Sequence, residues 1–123
     1  GAQRAVFVDM RSEACTVIRG NLEKTRLLAR AQIVRSDFQS YLTRCREQFD
    51  LIFLDPPYAD DLLERAVAHI ARFDILAPDG IMIAESPAEK ELPKLSAPYR
   101  VAREYRYGRI KVTLYRRDGE ETT

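Results

Sequence analysis

The feature that most constrains this chain is an alternation of short apolar runs with longer segments of helical spacing. Ala5-Val6-Phe7-Val8 is a buried-strand run that ends at Asp9. Across 12–30 the spacing turns helical, with Ala14, Ile18 and Leu22 recurring every four residues and Ser12 as the expected N-cap. Ala31–Arg35 forms a second short strand that stops at Ser36-Asp37. Phe38, Tyr41, Leu42 and Cys45 follow at helical spacing. Phe49–Leu54 is the clearest strand, nearly all apolar, as expected where both faces are covered. It ends at Asp55-Pro56-Pro57-Tyr58. Residues 61–76 make an amphipathic helix, Asp79-Gly80 a turn, and 81–84 a buried strand ending at Glu85. Then the style changes. Tyr99–Tyr107 and 110–116 are two strands around Gly108-Arg109, the second with strict alternation of Ile110, Val112 and Leu114.

The order is therefore β-α-β-α-β-α-β followed by a β-hairpin. Strands separated by helices imply a mostly parallel sheet with right-handed crossovers, closed by an antiparallel hairpin. Such sheets bind ligands at the carboxyl ends of their strands. Acids stand at four successive strand ends: Asp9, Asp37, Asp55 and Glu85. Polar residues end many strands, but a series of four favours a ligand-binding edge.

Composition narrows the function classes. At 123 residues the chain fits one domain or part of one. The expectation is a single α/β unit over 1–117 with a polar tail at 118–123 that frays. No apolar run approaches the roughly 18 residues of a membrane helix, no secretory leader opens the chain, and no membrane partner is expected. Lys plus Arg is 20 and Asp plus Glu 19, so the net charge of +1 points to no partner. One histidine, His69, and two cysteines, Cys15 and Cys45, exclude a Cys/His zinc site within one chain, and no metal is expected. The two cysteines suit a reducing cytoplasm and read as small buried hydrophobes. A Ser-His-Asp enzyme would need His69, which falls in a helical pattern.

The chemistry concentrates at Asp55-Pro56-Pro57-Tyr58. Two prolines freeze the backbone where the strand delivers a carboxylate and an aromatic ring. Proline fixes φ and lacks an N–H, so the Pro56 carbonyl is held in the loop as an acceptor. The Asp55 carboxylate is a second acceptor, and Tyr58 offers a face for stacking. Two acceptors beside a stacking face suit a planar ring with an exocyclic amino group. A rigid Pro-Pro turn without function is the plainer alternative.

Asp-Pro-Pro-Tyr after an apolar strand resembles the motif of S-adenosylmethionine-dependent amino-methyltransferases. More narrowly, residues 5–116 resemble the RsmD family, which makes N2-methylguanine in bacterial small-subunit ribosomal RNA. The matching pieces are Ala5-Val6-Phe7-Val8-Asp9, Asn21-Leu22, Ser36-Asp37, Phe49 through Tyr58, Ile83-Ala84-Glu85-Ser86, and the hairpin with Tyr107-Gly108. The resemblance implies a Rossmann-like class I methyltransferase fold with S-adenosyl-L-methionine as cofactor. It implies that Asp9 accepts hydrogen bonds from the cofactor ribose and that Asp37 faces the adenine amino group with Phe38 beside the ring. Met10 would line the adenine side, or simply pack. Asp55, which would also border the cofactor, and the Pro56 carbonyl would hold the target amine, Pro57 would stiffen the turn, and Tyr58 would stack on the base. The implied partner is 16S rRNA or the small ribosomal subunit, in the cytoplasm.

The family pattern also includes a first strand and a glycine-rich loop ahead of the segment matched here. None of the five glycines forms a Gly-x-Gly cluster. The resemblance thus implies the C-terminal two-thirds of a methyltransferase, weak cofactor binding by this piece alone, and a sheet completed by self-association or by an N-terminal segment. For RNA, seven basic residues fall late in the chain: Arg100, Arg103, Arg106, Arg109, Lys111, Arg116 and Arg117. Arg106, Arg109 and Lys111 are the candidates for gripping phosphates; a solvated charged face is the alternative. The tyrosines of that segment are assigned to packing. Two other functions stay open: an N6-adenine methyltransferase acting on DNA or RNA, and a non-catalytic fragment that binds RNA or a partner chain.

Overall fold

The computed structural model describes residues 2–55 and 61–119. The chain divides into two compact units, Gly1–Cys45 and Arg46–Thr123.

In the first unit β1 (Ala5–Asp9) and β2 (Ala31–Arg35) pair in parallel, with Ala5 opposite Ala31 and Asp9 opposite Arg35. They are joined by α1 (Ser12–Lys24) and a 3-10 turn at Leu28–Arg30. The helical stretch expected over 12–30 thus breaks in two. Thr25 turns its hydroxyl back onto the Asn21 carbonyl at 2.8 Å. Arg26 then takes a left-handed φ of 61°, and the amide of Leu27 bonds back to the Leu22 carbonyl. That pairing closes the helix with the left-handed cap usually given to glycine. Ser12 is not the N-cap; Arg11 holds that position and Ser12 is the first helical residue. The unit continues into α2 (Phe38–Arg44).

The second unit is a four-stranded mixed sheet in the order β3-β4-β6-β5. β3 (Phe49–Leu54) runs parallel to β4 (Leu76–Pro87), with α3 (Leu62–Arg72) between them in sequence. β6 (Ile110–Arg117) lies antiparallel to β4 and to β5 (Tyr99–Tyr107). α3 is shorter than the pattern over 61–76 suggested. It ends in the same type of cap, with Asp74 at φ 52° and the Ile75 amide on the Ile70 carbonyl. Leu76 already begins β4, so Asp79-Gly80 falls within the span of that strand, at an irregularity where the register to β3 shifts and Asp79 takes a left-handed φ of 64°. Glycine is needed there: a Cβ on Gly80 would sit 2.7 Å from the Ala77 carbonyl oxygen.

The core is built on one face of this sheet. Leu63, Ala66, Val67 and Ile70 form the buried stripe of α3, which packs on β4. Met82 opposite Tyr115 and Ala84 opposite Thr113 continue it across the sheet. On the other face Leu51 and Phe53 remain 62% exposed, against the expectation that both faces of β3 are covered. Within this unit α3 covers one face only. Cys15 and Cys45 are of intermediate exposure, not fully buried. Asp118 is tied down by Arg100 at 3.1 Å and by its amide on the Pro98 carbonyl, so the tail is ordered at its start.

Candidate active site

In the first unit the parallel β1/β2 register delivers two acids to one end. Asp9 closes β1, and its carbonyl accepts the Ser36 amide at 3.1 Å, which ties the loop after β2 to the end of β1. The Asp9 carboxylate accepts the Arg11 amide at 2.8 Å and the Arg11 guanidinium at 3.3 Å. That side-chain bond, with the backbone bond behind it, holds the Asp9 carboxyl below its usual range. Asp37 caps α2, taking the Ser40 amide at 2.9 Å and the Ser40 hydroxyl at 2.7 Å. These bonds, the hydroxyl foremost, lower its pKa as well. Met10 is 65% exposed and its carbonyl accepts Arg35 Nε at 3.4 Å. Phe38 opens α2 half-buried. Four of the five positions assigned to a cofactor, Asp9, Met10, Asp37 and Phe38, therefore gather at one end of a two-stranded parallel ladder; the fifth, Asp55, belongs to the second unit. Arg11 and Ser40 had not been singled out as their partners. The Asp-x-x-Ser spacing ahead of a helical run was the available signal for Ser40.

In the second unit the parallel register sets Leu54 opposite Ala84. Asp55 is the next residue and is exposed; Glu85 is the neighbour of Ala84 and half-buried. The two acids thus stand side by side at the carboxyl end of β3 and β4. Ser86 is fully buried and donates to the Pro87 carbonyl at 3.2 Å. Pro56, Pro57 and Tyr58 lie outside the described residues. His69 sits on α3 against Phe73, ring centroids 4.6 Å apart. No group of His, Cys, Asp and Glu among the described residues could hold a metal ion. Among the described residues no helix is long and apolar enough to cross a membrane.

The hairpin separates the three basic candidates. Arg106 and Arg109 are exposed, at the end of β5 and in the turn. Lys111 is 4% exposed; its ammonium donates to the Lys90 carbonyl and lies 4.0 Å from Glu104. A buried, hydrogen-bonded ammonium is not free to meet a phosphate, so Lys111 is removed from the candidate RNA contacts. The tyrosines of the hairpin divide too: Tyr99 and Tyr115 are buried, Tyr105 and Tyr107 are not.

The family described as Conserved hypothetical protein 95 matches residues 1–116. The chain is 31% identical over 122 residues to YlbH of Bacillus subtilis, named as an rRNA methyltransferase, covering 97% of this chain and 66% of that protein. It is 29% identical over 90 residues to ribosomal RNA small subunit methyltransferase D of Escherichia coli, covering 73% of this chain and 46% of that protein. The chain thus spans between about half and two thirds of these relatives. A solved conserved hypothetical protein of Streptococcus pyogenes superposes with a TM-score of 0.88 at 28% identity, over 99% of this chain and 76% of that one. The solved methyltransferase yhhF of Escherichia coli superposes with a TM-score of 0.86 at 26% identity, over 97% and 66%. The fold is thereby of the Rossmann-like class I methyltransferase type.

Proposed function

This chain belongs to the family described as Conserved hypothetical protein 95, the RsmD family, and from that premise we propose that it forms part of an S-adenosylmethionine-dependent rRNA methyltransferase that modifies the exocyclic N2 of a guanine in small-subunit RNA. The observation that carries the reading is the placement of Asp55, from Asp-Pro-Pro-Tyr, at the carboxyl end of a parallel strand beside Glu85. The names of the relatives support rRNA as the substrate class.

The residues of the first unit fit the proposed cofactor. A carboxylate held ionised is an acceptor only, which suits the ribose hydroxyls at Asp9. Asp37 is exposed at the neighbouring strand end, where its remaining lone pairs can accept from an adenine amino group. Met10 and Phe38 flank that position with apolar surface. When bound, S-adenosylmethionine supplies an electrophilic methyl on a positive sulfur.

The protein's part is positioning. A guanine N2 lone pair is delocalised into the ring and is a poor nucleophile. Hydrogen bonds from its two N–H groups to Asp55 and the Pro56 carbonyl favour a more pyramidal nitrogen with a localised lone pair. Tyr58 stacks on the ring and fixes its plane. The methylated amine is cationic and acidic, so Asp55 need not be a strong base. Orientation and charge stabilisation account for the rate. The base must leave its stack to reach the site.

The test uses the protein extended to the length of its relatives. It is incubated with S-adenosylmethionine and unmodified small-subunit RNA, and the RNA is digested to nucleosides. N2-methylguanosine is expected, and Asp55→Ala abolishes it while cofactor affinity stays within a few fold. N6-methyladenosine instead would replace the guanine assignment, and wild-type turnover by Asp55→Ala would remove that carboxylate from the mechanism.

A further inference from the structure

The hairpin carries four tyrosines that the fold uses in two ways. Tyr99 and Tyr115 are 6% and 0% exposed, and their hydroxyls donate to Asp74 at 2.6 Å and to the Pro93 carbonyl at 2.8 Å. Tyr105 and Tyr107 are 38% and 66% exposed. They stand two residues apart on β5, so they share one face, about 7 Å apart. Val112 and Ile110 lie opposite them on β6. Arg103 is on the same face and donates to the Tyr105 hydroxyl at 3.2 Å, which braces the ring and holds a guanidinium beside it.

Charge says what such a surface suits. Arg100, Lys111 and Arg117 are engaged by Asp118, Glu104 and Asp74. Among the described residues Arg103, Arg106 and Arg109 form no ion pair; Arg103 shares the face of the two exposed rings, Arg109 lies in the adjoining turn, and Arg106 stands on the opposite face of β5. Edge strands often carry cations that discourage pairing with another strand, which accounts for arginine on β5. It does not account for two large rings left in water. Aromatics on the open face of a sheet, flanked by guanidinium groups that no carboxylate neutralises, match a polyanion whose units each present a flat π-face.

Position completes the argument. Leu54 lies opposite Ala84, Glu85 opposite Val112, and Val112 opposite Tyr105. Tyr105 therefore shares a row of the sheet with Asp55, three strand spacings or about 14 Å away. Tyr107 lies one step further along the hairpin, at the same end of the sheet.

We infer that the Tyr105–Tyr107 face of the hairpin is a stacking platform for single-stranded RNA a few nucleotides from the residue presented to Asp55. The inference rests on the RNA-directed reading above and names the substrate form that the surface takes: unpaired nucleotides, with bases on the two rings and phosphates on Arg103 and Arg109.

The sequence contains no tryptophan, so Tyr107→Trp places a single indole on the platform. A short mixed-sequence single-stranded RNA should quench its emission saturably, and the same RNA annealed to its complement should not. Tyr107→Leu, at an exposed position that tolerates the change, should bind that RNA about tenfold more weakly at fixed salt. The slope of log affinity against log salt should stay unchanged in Tyr107→Leu and fall by about one in Arg109→Gln. Absence of quenching, equal quenching by duplex, or wild-type affinity of Tyr107→Leu overturns the platform. Methyl transfer to guanine that is indifferent to Tyr107→Leu removes the platform and leaves the reaction standing. Base-dependent quenching without methyl transfer removes the reaction and leaves the platform.

Discussion

At the scale of single residues, buried hydroxyls and exposed ones divide structure from function on the same hairpin. Tyr115 is fully buried and donates to the Pro93 carbonyl, which pins the segment after β4 over the sheet. Burial, with Glu104 adding to it, pushes its phenol up to about 12 from 10.0. Tyr99 is shifted up as well, chiefly by burial and then by its bond to Asp74. Both phenols are thus protonated in the folded state at pH values where the unfolded chain begins to ionise. Above about pH 10 the unfolded state binds fewer protons, so stability falls as pH rises towards 12. Tyr115→Phe should cost about 1–2 kcal/mol at neutral pH, because the Pro93 carbonyl loses its donor. The same variant should lose less stability than wild type between about pH 10 and 12. Urea unfolding at both pH values reads both effects. An unchanged alkaline slope would mean that the phenol is not protected by the fold.

At the scale of elements, the ends of helices carry information that apolar periodicity does not. α1 and α3 both close with a left-handed residue at the position after the cap, Arg26 and Asp74. Asp74 gains by it, since its carboxylate takes the Tyr99 hydroxyl and its carbonyl takes Gln48 Nε2 at 3.0 Å. No such gain is present at Arg26. Arg26→Gly should therefore stabilise the protein by about 1 kcal/mol, by relieving the Cβ penalty of the left-handed conformation. A thermal melt showing a lower midpoint would mean that the Arg26 side chain contributes more than its backbone costs. Gly80 makes the opposite case: its need for glycine is steric, set by Leu76 and the Ala77 carbonyl.

At the scale of the whole molecule, the two units differ in how much they bury. Leu22 and Leu42 are the buried apolar residues of Gly1–Cys45, each 9% exposed. Arg46–Thr123 buries Val67, Ile70, Leu76, Met82, Ala84 and Tyr115 below 2%. Small units with little core are marginal. Amide hydrogen exchange should therefore protect β4 and β6 at the level of global unfolding, and β1 and β2 by clearly less. Equal protection would show that the first unit does not open independently. The same imbalance bears on the proposed cofactor, whose carboxylate partners Asp9 and Asp37 belong to the less buried unit. Binding there should raise the protection of β1 and β2 first.

The sequence by itself determined the order of elements and the strand ends that carry acids. Its buried strands are short, apolar and bounded, and Phe49–Leu54 and Ala31–Arg35 are found with the ends their patterns suggested. That regularity holds because a strand is selected by burial along its own length. The position of Asp55 just past the end of β3 was likewise legible; Pro56, Pro57 and Tyr58 fall outside the described residues. Tertiary structure decided what depends on partners distant in the chain. It ran β4 through Asp79-Gly80, at an irregularity where the register to β3 shifts and Asp79 keeps a left-handed φ. It took Lys111 out of solvent and left Tyr105 and Tyr107 in it, though all three lie in one alternating hairpin. Alternation assigns residues to two faces of a strand; which face is covered, and by what, follows only once the sheet and α3 have packed.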